Sequence, residues 1–277
     1  MGPLCPDPKE AIPVQEITSL QNPTVKELVR LTAQRRARQE RGLFLAESPK
    51  LVAEAALAGV PVRTLYATPD ALERYRDTLA PALAAAGEVV AISRPVAEKL
   101  AASRTTQGVF ALCAIPSPRL TPDTLRPDGR YLVLASLQDP GNVGAAIRSA
   151  LAFGCDGLLL TGDCPDLYGP KVLRAAMGGV FRLPLFAGGT LPELLAALQA
   201  AGIETWAAAL DRQAVTLDAA ALDRDGVAVV IGNEGNGLPP EMVAACGRTV
   251  FIPISAQSES LNASVAASLF LWEMRRR

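Results

Sequence analysis

The chain has 277 residues, 27 Lys and Arg against 28 Asp and Glu, 49% hydrophobic residues and no histidine. That composition supplies a sizeable core and excludes wholesale disorder. The missing imidazole excludes Ser-His-Asp and Cys-His nucleophiles and every metal site that needs histidine. A net charge of −1 leaves polyanion binding to local cation clusters.

Five scattered cysteines, Cys5, Cys113, Cys155, Cys164 and Cys246, form no C-x-x-C pair. A disulfide framework or structural zinc is not expected, and a reducing, cytoplasmic setting is. No apolar run is long enough to span a bilayer, and the N-terminus has neither the charged nor the apolar region of a signal peptide.

Residues 1–19 read as a loose, proline-rich lead-in. Val25, Leu28, Val29 and Thr32 follow helical spacing, and the segment then turns basic at Arg35, Arg36, Arg38 and Arg41. Strands are expected at 43–47, 62–67, 89–92 and 108–115, with helices at 49–57, 70–86 and 96–102. This alternation describes a small α/β domain over 20–116. Residues 117–129, with Pro118, Pro122 and Pro127 ahead of Asp128-Gly129, read as a linker.

A second domain is expected over 130–277. Its strands fall at 131–135, 157–161, 203–208, 227–231 and 249–254, and its helices at 143–153, 170–177, 191–201 and 261–274. Strands alternating with helices of this length imply a mostly parallel sheet covered on both faces. Loops after parallel strands gather at the carboxyl edge of the sheet, where ligands of α/β proteins bind.

Three such loops carry polar residues. The first, Asp139-Pro140-Gly141-Asn142, opens a helix bearing Arg148. Helical side chains lean towards the N-terminus, and Gly144 one turn back is expected to leave room for Arg148 to reach over residues 139–142. A surface arginine with its stem on apolar neighbours reads equally well. The second loop, Gly232–Gly237, has the order G-x-x-G-x-G, which is neither a Rossmann turn nor a P-loop, with Glu234 in its midst. The third places Ser260 and Asn262 at a helix start, where capping alone would explain them.

The runs 137–150, 231–238 and 252–266 resemble the three motifs of the SpoU (TrmH-like) RNA ribose methyltransferases, in the family's order. Residues 20–115, with Phe44-Leu45-Ala46-Glu47 and Thr106-Gln107-Gly108-Val109-Phe110, resemble the family's N-terminal RNA-binding domain, although Ser48 stands where glycine is common. The resemblance implies a SPOUT-type α/β fold with a C-terminal trefoil knot, and a homodimer with its sites near the subunit interface. It implies S-adenosylmethionine held at Gly232, Ile252 and Leu261, and catalytic or substrate-binding roles for Asn142, Arg148, Glu234, Ser260 and Asn262. The expected substrate is a ribose 2′-hydroxyl of ribosomal RNA more than transfer RNA. Contact with it is expected through Lys26, Arg30, Arg35, Arg36, Arg38 and Arg41, although a solvated helix face explains these almost as well; Arg275, Arg276 and Arg277 are a further basic end that also suits the negative end of a helix dipole. Two other readings remain at this point: a non-catalytic RNA-binding or ribosome assembly protein on the same fold, and a dinucleotide-binding oxidoreductase, which lacks its glycine order and ribose-binding acid.

Overall fold

The computed structural model describes residues 16–118 and 120–275. The proline-rich lead-in up to residue 15, with Cys5, lies outside the described residues, as do Arg276 and Arg277. The chain forms two compact units, one of residues up to 116 with 168–170, the other of 117–167 and 171 onward.

The first unit runs β1 (Glu16–Ile17), α1 (Pro23–Ala33), α2 (Arg35–Arg41), β2 (Leu43–Glu47), α3 (Pro49–Leu57), β3 (Val62–Ala67), α4 (Pro69–Arg74), α5 (Arg76–Ala85), β4 (Glu88–Ile92), α6 (Arg94–Leu100) and β5 (Val109–Ala114). Its five-stranded sheet has the order β1-β4-β3-β5-β2. β5 runs antiparallel to both β2 and β3, so this sheet is mixed. The single helix expected over 70–86 is instead two helices that meet at Tyr75. Asn22, Ser48 and Thr68 each accept a backbone hydrogen bond at the start of a helix with proline in its first turn, where the missing proline N–H costs nothing. Ser48 holds φ at 98°, the conformation for which glycine is the natural choice.

The second unit runs β6 (Arg130–Leu134), α7 (Pro140–Ala152), β7 (Gly157–Leu160), α8 (Pro170–Ala176), α9 (Gly179–Arg182), β8 (Leu185–Ala187), α10 (Leu191–Ala200), β9 (Glu204–Ala208), β10 (Val215–Thr216), β11 (Val227–Ile231), α11 (Pro240–Ala245), β12 (Arg248–Phe251) and α12 (Ala263–Met274). Seven strands in the order β10-β12-β9-β11-β6-β7-β8 pair in parallel throughout. β6, β7 and β11 are buried along their whole length, which is why they read as unbroken apolar runs rather than alternating ones. β8 and β10 were not anticipated; three and two residues are too few to show a pattern.

α7 and α12 pack side by side, with the Ser149 and Ser268 hydroxyls 2.8 Å apart. At the other end of α12, the buried Arg130 guanidinium donates to the Met274 carbonyl and pairs with Asp225 at 3.5 Å. The C-terminal carbonyls of the helix thus find a cation.

Gly144 has a different role from the expected one. The space beside it is filled by α8: a Cβ there would lie 2.5 Å from the Ala175 Cβ and 2.8 Å from the Val172 carbonyl oxygen. The glycine lets two helices approach rather than giving Arg148 room. Alanine is preferred to glycine within a helix by about 1 kcal/mol, so Gly144→Ala would stabilise an isolated α7. In the intact protein the contact with α8 reverses the sign, and a net loss of about 1–3 kcal/mol is expected in urea unfolding.

Candidate active site

β6 ends in a turn through Ser136, at φ 55°, whose N–H donates to Thr161 Oγ1 at 2.8 Å. Asp139 then caps α7, its Oδ1 accepting from the N–H groups of Gly141 and Asn142 at 2.5 and 3.1 Å. Asn142 is thereby fixed in the first turn, buried at 9% exposure.

The loop after β11 closes on itself. Asn233 and Gly237 exchange backbone hydrogen bonds of 3.1 and 2.9 Å, and Asn233 Oδ1 accepts from Gly235 and Asn236. Gly232 sits against the Gly237 backbone so closely that any Cβ there would collide with it. The Asn233 side chain also reaches across to the first loop and donates to the Ser136 carbonyl at 2.8 Å. Sequence reading passed over Asn233, because an asparagine in a glycine-rich turn looks like a turn residue and nothing more.

Glu234 joins the loops. Its Oε2 accepts the Gln138 N–H at 3.0 Å, and its Oε1 accepts the Asp139 N–H at 3.2 Å and the Asn142 side-chain amide at 3.1 Å. Asn142 passes the link onward, its Oδ1 accepting from Asn262 Nδ2 at 2.9 Å. Asn262 in turn caps α12, accepting from the Ser264 and Val265 N–H groups at 2.9 and 3.3 Å. Capping and site assembly are therefore the same set of bonds. Partial burial pushes the Glu234 carboxyl up, but the Asn142 amide and the backbone N–H donors outweigh it, and its pKa lies below the ordinary carboxylate value.

Beside this junction a cleft of about 420 Å³ opens at the carboxyl edge of the sheet. Gly232, Ile252 and Leu261 line it, together with Glu234 and Ser260. Ala208–Leu210, Ala263, Ala266 and Phe270 complete the wall. The post-β9 residues escaped the sequence reading because alanine and leucine there carry no chemical signal. A cleft of this size with an apolar wall, exposed glycine backbone and few polar side chains suits a nucleoside-bearing cofactor, so the residues present fit S-adenosylmethionine.

Arg148 does not join the cluster. It is exposed on α7 and, among the described residues, has neither a hydrogen bond nor an ion pair. The structure therefore brings together Asn142, Glu234 and Asn262, puts Ser260 in the cleft wall, and leaves Arg148 facing solvent.

The basic group of the first unit divides. Arg30 pairs with Glu27 and Glu40, Arg36 with Glu40 at 2.6 Å, and Arg41 with Glu27 at 3.0 Å, while Lys26 and Arg35 are exposed. Arg38, expected among the RNA contacts, is buried at 5% exposure. Its guanidinium donates to the Leu31 and Thr32 carbonyls at 2.6 and 3.1 Å, closing the end of α1. That corrects its place: it holds helices together and does not present a charge to RNA. Arg275 lies over the Trp272 ring.

Comparison with known proteins agrees with this geometry. The SpoU rRNA Methylase family model matches residues 129–272, and the MRM3-like substrate binding domain matches residues 22–111. An uncharacterized tRNA/rRNA methyltransferase from Synechocystis is 33% identical over 95% of this chain and 94% of its own. The 23S rRNA (guanosine(2553)-2′-O)-methyltransferase RlmP of Bacillus subtilis is 28% identical over 95% of this chain and 100% of its own. The crystal structure of an AdoMet-bound rRNA methyltransferase from Sinorhizobium meliloti superimposes with a TM-score of 0.82 at 30% identity, covering 94% of this chain and 97% of that one.

The lowered Glu234 pKa sets a pH dependence. A carboxyl held below its unfolded value adds stability above the ordinary glutamate pKa of about 4.3 and loses it as pH falls through the folded value. The stability difference between wild type and Glu234→Gln should therefore be full at neutral pH and vanish in acid. Urea unfolding across pH measures the difference, and faster amide exchange at Gln138 and Asp139 in the variant locates it.

Proposed function

This chain belongs to the SpoU rRNA methylase family, and from that premise we propose that it methylates a ribose 2′-hydroxyl of ribosomal RNA. It is an S-adenosylmethionine-dependent RNA methyltransferase with a seven-stranded parallel sheet of the SPOUT type. The observation that carries the finer reading is the Glu234–Asn142–Asn262 junction beside the glycine-lined cleft. Among the relatives, the name of RlmP specifies a 2′-O-methylation of 23S rRNA. Among the described residues no helix is long and apolar enough to cross a membrane; we place the enzyme in the cytoplasm with its RNA.

S-adenosylmethionine, when bound, supplies an electrophilic methyl group on a sulfonium. Gly232, Ile252 and Leu261 would hold it in the cleft. Glu234, through the N–H groups of Gln138 and Asp139, sets the shape of the loop facing it, and Asn142 and Asn262 fix that loop to the start of α12. Ser260 stands in the cleft wall to orient the ribose. Arg148 stabilises the alkoxide that develops on the attacking oxygen. It does so as a fixed cation, since a guanidinium does not give up its proton in a protein.

Arg148 is not part of the cleft of its own chain, and a homodimer resolves this. Val265, Leu269 and Trp272 form an exposed apolar stripe at helical spacing on α12. Leu151 on α7 is also exposed, and Phe153 packs edge-on to Trp272 at 5.7 Å. A second copy covers this face and brings Arg148 to the interface. The knot implied by the family would use the return of residues 252–262 that sets Asn262 beside Asn142. The exposed cations Lys26, Arg30, Arg35, Arg36 and Arg41 add RNA contact from the first unit.

Two experiments test this reading. Arg148→Ala should cut methyl transfer to in vitro transcribed ribosomal RNA by at least about 100-fold, while calorimetry shows S-adenosylmethionine affinity within about threefold of wild type. Equal loss of both contradicts the division of roles, and mapping 2′-O-methyl marks on the product identifies the nucleotide. Leu269→Glu with Trp272→Glu should give a monomer by light scattering and abolish transfer; a dimer of unchanged mass rules out this face.

A further inference from the structure

α8 carries a basic face that none of the roles above uses. Val172, Leu173 and Ala176 are buried, while Lys171, Arg174 and Met177, three residues apart, are exposed. The contact at Gly144 fixes α8 against α7, and Gly179 just beyond it lies against Ile147 and the Arg148 backbone. The exposed side of α8 therefore flanks the stretch of α7 that carries Arg148.

Charge pairing separates these cations from the glutamate-paired arginines of α1 and α2. Arg30, Arg36 and Arg41 share Glu27 and Glu40 as ion-pair partners. Among the described residues Arg148, Lys171 and Arg174 have no carboxylate partner and no hydrogen bond. Three uncompensated cations held on two packed helices, in a chain of net charge −1, make a local field for a polyanion. The end of α8 is also fixed in shape: Met177 at φ 48° and Gly178 at φ 82° are successive left-handed residues. The turn leaves the Met177 side chain 43% exposed beside the charges. Cations next to an exposed thioether suit a strand with phosphates and unstacked bases better than a small inorganic anion.

We propose that Lys171 and Arg174 form a ledge on the methyltransferase unit that holds backbone phosphates of the substrate RNA next to the nucleotide served by Arg148. The inference rests on the RNA methyltransferase reading and adds a binding site to it. Lys171 and Arg174 are positioning residues: they place the strand and do not touch the reacting atoms.

The test is the double variant Lys171→Glu/Arg174→Glu, with Lys171→Gln/Arg174→Gln as the milder pair should charge reversal impair folding. Binding of in vitro transcribed ribosomal RNA is measured by filter retention across a salt series, without cofactor. Each lost phosphate contact lowers the salt slope of log K by roughly 0.7–0.9, so the glutamine pair should flatten it by about 1.5. In transfer assays KM for RNA should rise about tenfold with kcat within about twofold. S-adenosylmethionine affinity, melting temperature and mass by light scattering should be unchanged. An unaltered salt slope, or a loss of dimer mass in place of RNA affinity, overturns the ledge. If wild type binds RNA yet transfers no methyl group to it, the parent reading fails, while the slope comparison still decides the ledge.

Discussion

One carboxylate holds the site together. Glu234 leaves the loop after β11 and accepts three hydrogen bonds from the loop after β6, two from backbone N–H groups and one from the Asn142 amide. Asn142 passes the connection to Asn262 and so to the first turn of α12. Loops that follow different strands have no local reason to keep a common shape. A charged acceptor makes stronger hydrogen bonds than a neutral one, and a partly desolvated one is costly to leave unpaired. The lowered Glu234 pKa is the electrostatic expression of the same constraint.

The parallel sheet supplies the frame on which that constraint acts. All seven strands of the second unit point the same way, so the loops after β6, β9, β11 and β12 emerge at one edge. The cleft there is walled largely by residues of little chemical character, such as Ala208, Gly232, Ile252 and Ala266. Shape and exposed backbone characterise the cleft, while polar side chains hold the loops in register. Among the described residues Arg148 has no partner, and it stands outside the cleft of its own chain.

The basic residues show how far burial and pairing change the meaning of a charge. Arg35, Arg36, Arg38 and Arg41 look alike in a row. In the fold Arg38 is an internal donor to two helix carbonyls, and Arg36 and Arg41 are half-neutralised by glutamates on α1 and α2. Lys171 and Arg174, separated by two apolar residues and unremarkable in sequence, have no carboxylate partner among the described residues.

Local sequence alone determined the strands 131–135 and 227–231, because strands covered on both faces must be continuous apolar runs, and it placed a polar loop after each. Gly232, Ile252 and Leu261, which line the cleft, were pointed to by the resemblance to the family's motifs and not by local spacing. Local sequence did not show that Glu234 accepts from Gln138, that Gly144 admits α8, that Arg38 turns inward or that Arg148 stands apart. Periodicity reports which side of a segment is apolar, whereas the neighbour covering that side comes from residues tens of positions away. Only tertiary packing settles which donor meets which acceptor, because that depends on distances between segments that are independent until the sheet assembles.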